Sequence, residues 1–156
     1  LPILHYIAER LGVEPSVLLE EVSTKELRAV LEKVEKILSG PHISVAHQIE
    51  KCQKGIELIQ PYLSKLNHSY EAARLLDLYG RSLIYSWQKG WEPYLERAAE
   101  MYDEMNLTSL RADIGLLRIL DLLEEHKYEE CLAILEKEWQ HLKENHAYID
   151  PLTQLE

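Results

Sequence analysis

The sequence predicts an all-α protein built as an α-solenoid of antiparallel helical hairpins. Three observations carry this prediction. Apolar residues recur at helical spacing along almost the whole chain, and no stretch alternates as a strand would. Periodic segments of 14 to 20 residues are joined by short turns, which favours antiparallel neighbours. The later segments also repeat, at an offset of 37 residues.

The elements follow in order. Ile7-Ala8-Glu9-Arg10-Leu11-Gly12-Val13 leads to Leu18-Leu19. Gly12 suits the left-handed residue that ends a helix, and Val13 and Leu18 then pack a short return helix. Ser23-Thr24-Lys25-Glu26 has the form of a capping box. Leu27, Val30, Leu31, Val34, Ile37 and Leu38 continue it as a helical stripe, stopped by Gly40-Pro41. That stripe either packs on the first repeat or makes a dimer contact. Ile49, Cys52, Ile56, Ile59 and Leu63 form the next stripe, with Pro61 near its end. Further helices are expected over about Tyr70 to Lys89, Pro93 to Met105, Leu107 to His126 and Tyr128 to Lys143. Asp150-Pro151 reads as the cap and first residue of another.

The repeat pairs Arg74 with Arg111, Arg81 with Arg118, Leu83 with Leu120, Trp91 with Tyr128 and Leu95 with Leu132. The offset drifts to 39 at the ends, where Asn67, Asn106 and Asn145 recur at the junctions, positions suited to helix capping. Residues 1–22, 23–40 and 41–156 therefore read as a small N-terminal unit, a linker helix and a set of helical repeats.

Composition narrows the function. The chain has 156 residues, 46% hydrophobic and 28% charged, the balance of a globular domain. Its 27 acidic against 17 basic residues give a net charge of −10. Such a surface is unsuited to binding nucleic acid through phosphates. No apolar run approaches the roughly 20 residues of a membrane span, so no membrane partner is expected. The chain starts at Leu1 with neither Met nor a secretory pattern, as a fragment of a longer protein would. Cys52 and Cys131 fall within apolar helical patterns and form no CxxC, which suits reduced, buried thiols in the cytoplasm.

Residues 70–145 resemble tetratricopeptide repeats. The resemblance rests on Tyr79-Gly80 in a first helix, on Gly90-Trp91 or Lys127-Tyr128 at the turn, and on Tyr94, Ala98, Ala99 and Tyr102. It implies a right-handed superhelix, although the period exceeds the usual length of about 34. The segment Ile7 to Leu19 resembles the last helices of an Xre-type helix-turn-helix domain, whose recognition helix is not in the chain. The order of these parts is similar to that in the peptide-sensing, PlcR/NprR-like transcriptional regulators of Gram-positive bacteria. That resemblance implies a cytoplasmic homodimer whose repeats bind a short quorum-sensing peptide and relay it to a DNA-binding head. A generic repeat scaffold that docks a partner's tail, without a DNA-binding role, is the alternative.

No enzyme signature is present. Gly-rich phosphate loops, HExxH, GxSxG and the kinase set are all missing. Glu138-Trp139-Gln140-His141 is a single Glu-x-x-His, whereas a di-iron centre needs two such motifs. No cofactor or metal is expected. The pairs His42/His47 and His141/His146 are spaced to point apart and read as surface histidines.

The candidate binding surface lies on two equivalent helices. On a wheel of about 100° per residue, Ala72, Leu76, Tyr79, Leu83 and Trp87 lie opposite Arg74 and are assigned to the core. Around Arg74 lie Asp77, Leu78, Arg81 and Tyr85. The equivalent face of the next repeat carries Arg111, Ile114, Gly115, Arg118 and Leu122. Side by side, these faces would form a concave peptide groove. Arginines would hold a carboxylate or carbonyl groups, and Leu78, Tyr85, Ile114 and Leu122 would take apolar side chains. Two other readings remain open. Asp77 and Arg81 could be a surface i,i+4 pair, or the arginines could sit at contacts with neighbouring helices or a dimer partner. Trp87, Trp91 and Trp139 read as packing residues.

Overall fold

The computed structural model describes residues 2–18, 22–41 and 43–144. They form α1 (Pro2–Leu11), α2 (Pro15–Leu18), α3 (Thr24–Leu38), α4 (Val45–Ile59), a 3-10 segment (Gln60–Lys65), α5 (Tyr70–Tyr85), α6 (Glu92–Glu104), α7 (Thr108–Glu124) and α8 (Tyr128–Glu144). Among the described residues there is no strand, and no helix is long and apolar enough to cross a membrane. Asn145 and the helix expected at Asp150-Pro151 lie outside the described residues.

Local chemistry sets the boundaries. Ser23, Ser44 and Ser69 accept from the backbone N–H three residues on, so serine caps open α3, α4 and α5. Pro93 sits in the first turn of α6, where its missing N–H costs nothing. Four helices end alike. Gly12, Trp87, Asn106 and His126 have φ between 57° and 65°. In each case the next residue's N–H reaches back to the carbonyl five residues before it, as Gln88 does to Leu83 and Leu107 to Tyr102. This is the Schellman closure. Gly12 plays the part read from the sequence, and Asn106 caps α6 by its backbone. Asn67 instead donates to the Thr24 hydroxyl at 2.9 Å and joins the α5 entry to α3.

Each of α3 to α8 packs on the next, with added contacts of α3 on α5 and α5 on α7. The α3 stripe is thereby settled: Leu27, Val30, Leu31 and Val34 are buried, and α3 packs against α4 and α5. Lys51 donates to the carbonyls of Gly40 and Pro41, at 2.6 and 3.0 Å, and fixes the α3–α4 turn. The densest part of the core is α5, flanked by α3, α4, α6 and α7. At Gly80 the Leu95 side chain of α6 approaches so closely that a Cβ would overlap it.

Four expectations change. Trp87 is not in the core. α5 ends at Tyr85, so helical spacing no longer applies to Trp87, which is 69% exposed. Trp139 is also exposed. The second repeat does not bury what the first does: Trp91 and Leu95 are buried, whereas their equivalents Tyr128 and Leu132 are 57% and 65% exposed. The reason is position. The α5–α6 hairpin has helices on both sides, whereas α7–α8 has helices on one side among the described residues. His47 and His141 are half-buried rather than on the surface.

Candidate functional site

The predicted face of α5 turns inward. Asp77 is wholly buried. Arg81 Nε donates to its Oδ1 at 2.5 Å, while Arg74 Nη1 and the Tyr102 hydroxyl donate to its Oδ2 at 3.2 and 2.9 Å. Arg74 Nη2 also donates to Glu35 Oε1 of α3 at 3.3 Å. Burial, and then the Asp77 charge, push the Tyr102 phenol well above the usual tyrosine range. It therefore stays a neutral donor. Of the readings open in the sequence, the i,i+4 pair of Asp77 with Arg81 is present but buried at Asp77 rather than on the surface, and the contact with neighbouring helices holds for Arg74, whose partner Asp77 also takes Tyr102. Together they bind α3, α5 and α6, and Arg28 adds a second tie from α3 to Glu71 of α5 at 2.8 Å.

The equivalent face of α7 lines a cavity of about 250 Å³ between α6, α7 and α8. Arg111, Ile114, Gly115 and Arg118 meet Leu95 and Ala99 of α6 and Glu138 of α8 there. Arg111 Nη1 donates to Glu138 Oε1 and Nε donates to Asp103, both at 3.3 Å. Arg118 donates to Glu96 at 3.4 Å. Gly115 lies one turn beyond Arg111, on the same face, and a Cβ there would overlap the Glu138 carboxylate. Glu138 is only 5% exposed, and its Oε2 is buried with no hydrogen-bond partner.

A wider apolar recess of about 550 Å³ opens where the α5–α6 turn meets the end of α7. Ile84, Tyr85, Trp87, Leu120 and Leu123 supply its apolar wall. Trp91 lines both this recess and the α6–α7–α8 cavity.

The predicted site residues are thus divided. Arg111, Ile114 and Arg118 meet in one cavity. Leu78, Arg81 and Tyr85 line a separate recess of about 230 Å³ beside Cys52 and Ser82. Arg74 and Asp77 belong to the ion-pair network, and Leu122 is half-buried. Tyr85 of the α5 face also lines the wider recess, beside Leu120 and Leu123 of α7. Every one of the four arginines has a carboxylate partner within the chain. Sequence reasoning missed Glu138 as a cavity residue. The signal was present: Cys131, Ile134 and Glu138 follow i, i+3, i+7 spacing, which places a glutamate on the buried stripe of α8.

Comparison with known proteins found no match: no family model, no curated sequence and no solved structure aligns with the chain.

Proposed function

We propose that the chain is the ligand-sensing and dimerisation region of a cytoplasmic transcriptional regulator. Its tetratricopeptide-like hairpins, wound as a right-handed superhelix, bind a short peptide and relay the event to a helix-turn-helix head. One observation carries the peptide reading: Trp91 walls two cavities, one apolar beside Trp87 and one polar beside Glu138. An apolar peptide side chain seats in the first, and a polar group of the same peptide reaches the second. Tryptophan and arginine at such positions supply most of the energy in peptide recognition.

Support for the relay comes from α3. Arg28–Glu71 and Arg74–Glu35 tie it to α5, so a change in the repeats moves the helix that follows α1 and α2. The peptide acts by linkage: it favours one curvature of the stack by its differential affinity, and no covalent chemistry is needed. Support for the head comes from α1, where Ile3, Tyr6, Ile7 and Leu11 are exposed. Such a row would be covered by the other helices of a helix-turn-helix domain. One observation favours the scaffold reading instead. The asparagines that commonly grip the peptide in the resembled family have no counterpart on the α5 and α7 faces, since Asn67 and Asn106 lie at junctions.

Two experiments test this. A library of free heptapeptides is panned against the chain, with enrichment expected for sequences carrying a large apolar residue. Ile114→Arg, folded by its helical circular dichroism, should lose about tenfold or more in affinity for the selected peptide. Equal binding by that variant overturns the site. Sequencing the coding DNA on both sides should reveal a helix-turn-helix pattern before Leu1. Any other upstream domain leaves the partner-docking scaffold.

A further inference from the structure

Glu138 is the least expected group in the α6–α7–α8 cavity. It lies on the buried stripe of α8, where a helix ordinarily presents an apolar residue. Gly115 clears space for its carboxylate, and Arg111 holds Oε1. Oε2 has no donor. A polar oxygen kept from water without a partner is costly, and buried polar atoms ordinarily have at least one hydrogen-bond partner. The terminal torsion of a glutamate is soft, so a small rotation presents Oε2 to the cavity that Glu138 lines.

The charges around it decide which ligand fits. The wall carries five carboxylates against three cationic side chains. Arg111 is held by Asp103 and Glu138, and Arg118 by Glu96. An incoming carboxylate would enter an acidic surround in which both arginines are already paired, leaving Lys137 as the remaining cation of the wall. An incoming ammonium displaces nothing and supplies the missing donor in a charge-assisted bond.

We infer that this cavity is an ammonium subsite: it takes an alkylammonium group, with Glu138 as the counter-charge. Resting on the peptide reading above, that group is a lysine side chain or the free N-terminus of the bound peptide. The selectivity is for a basic peptide end rather than an acidic one.

The test uses three four-carbon probes of nearly one shape: n-butylammonium, n-butanol and butyrate. Each is titrated into the isotope-labelled chain and followed by NMR. The expected result is a saturable shift of the Ala99, Gly115 and Ile134 amides with n-butylammonium alone. Glu138→Gln keeps the side-chain shape and should weaken that binding by about tenfold or more. Equal response to n-butanol, preference for butyrate, or no saturable response in the wild-type chain overturns the inference. The probe series uses the unaltered protein, so it decides even if Glu138→Gln does not fold. It is also separable from the peptide reading. Peptides selected at the cavity with no lysine or N-terminal requirement would remove the ammonium subsite and leave the sensor. Binding of n-butylammonium without any selected peptide would do the reverse.

Discussion

The hydroxyl of Tyr102 donates to Oδ2 of Asp77 at 2.9 Å, and both side chains are wholly buried. This bond joins α6 to α5 through the core, and Arg74 and Arg81 complete the shell around the carboxylate. Removing the carboxylate takes Arg81's carboxylate partner away and leaves Arg74 with Glu35 alone. Asp77→Ala is expected to cost about 3–5 kcal/mol, and Tyr102→Phe about 1–3 kcal/mol. Urea unfolding followed by circular dichroism checks both, and losses below about 0.5 kcal/mol would contradict the network's role.

The same pair sets an alkaline limit. In the unfolded chain Tyr102 titrates at about 10, and folding raises it further. The folded state therefore holds the proton more tightly. The resulting stability is complete below the unfolded value and is lost as pH rises through it toward the folded one. Ultraviolet titration should show Tyr102 and Tyr79, both raised by burial, ionising after the exposed tyrosines, and Tyr102→Phe should abolish the latest step. Ionisation of Tyr102 together with the exposed tyrosines would contradict its burial.

Trp87 holds φ 59° at the end of α5 and is largely exposed. A bulky residue in that region is strained relative to glycine. Trp87→Gly should raise stability by about 1 kcal/mol. If Trp87 walls the peptide recess as proposed, the same variant loses affinity for the selected peptide. Stability up with binding down is the expected pair of results from melting and titration. Unchanged binding would remove Trp87 from the site.

Cys52 and Cys131 are buried free thiols. Burial raises the Cys52 pKa, against weaker opposing pulls from Ser82 and Lys51. Native protein should therefore react with a disulfide reagent about tenfold or more slowly than the urea-unfolded chain. Fast native release of either thiol would contradict the packing of α4 or α8.

The helices were legible because caps and stripes agree: Ser23 before Leu27, Val30 and Val34 is one message in two forms. The Gly12 ending was legible for the same reason. The inward turn of Asp77 was not. A wheel shows which residues share a face, but not that α5 is surrounded by four helices. For a helix enclosed on every side, a polar face marks an internal network rather than solvent. Trp87 was misplaced because the left-handed residue ending α5 is a tryptophan, with no glycine to announce it. Part of the geometry was readable, since Arg111, Ile114 and Arg118, three of the nine candidate residues, line one cavity. Its partner from α8 required the fold, because Gly115 and Glu138 are brought together only by the α7–α8 hairpin.

The central claim is that a peptide binds beside Trp91. The most direct measurement is an amide shift map of the labelled chain with a library-selected heptapeptide. Shifts are expected at Ala99, Ile114 and Gly115 and at the Trp87 and Trp91 indoles, around the two cavities that Trp91 lines. Shifts confined to the exposed α1 row or to Leu132 and Leu135 on the outside of α8 would contradict it.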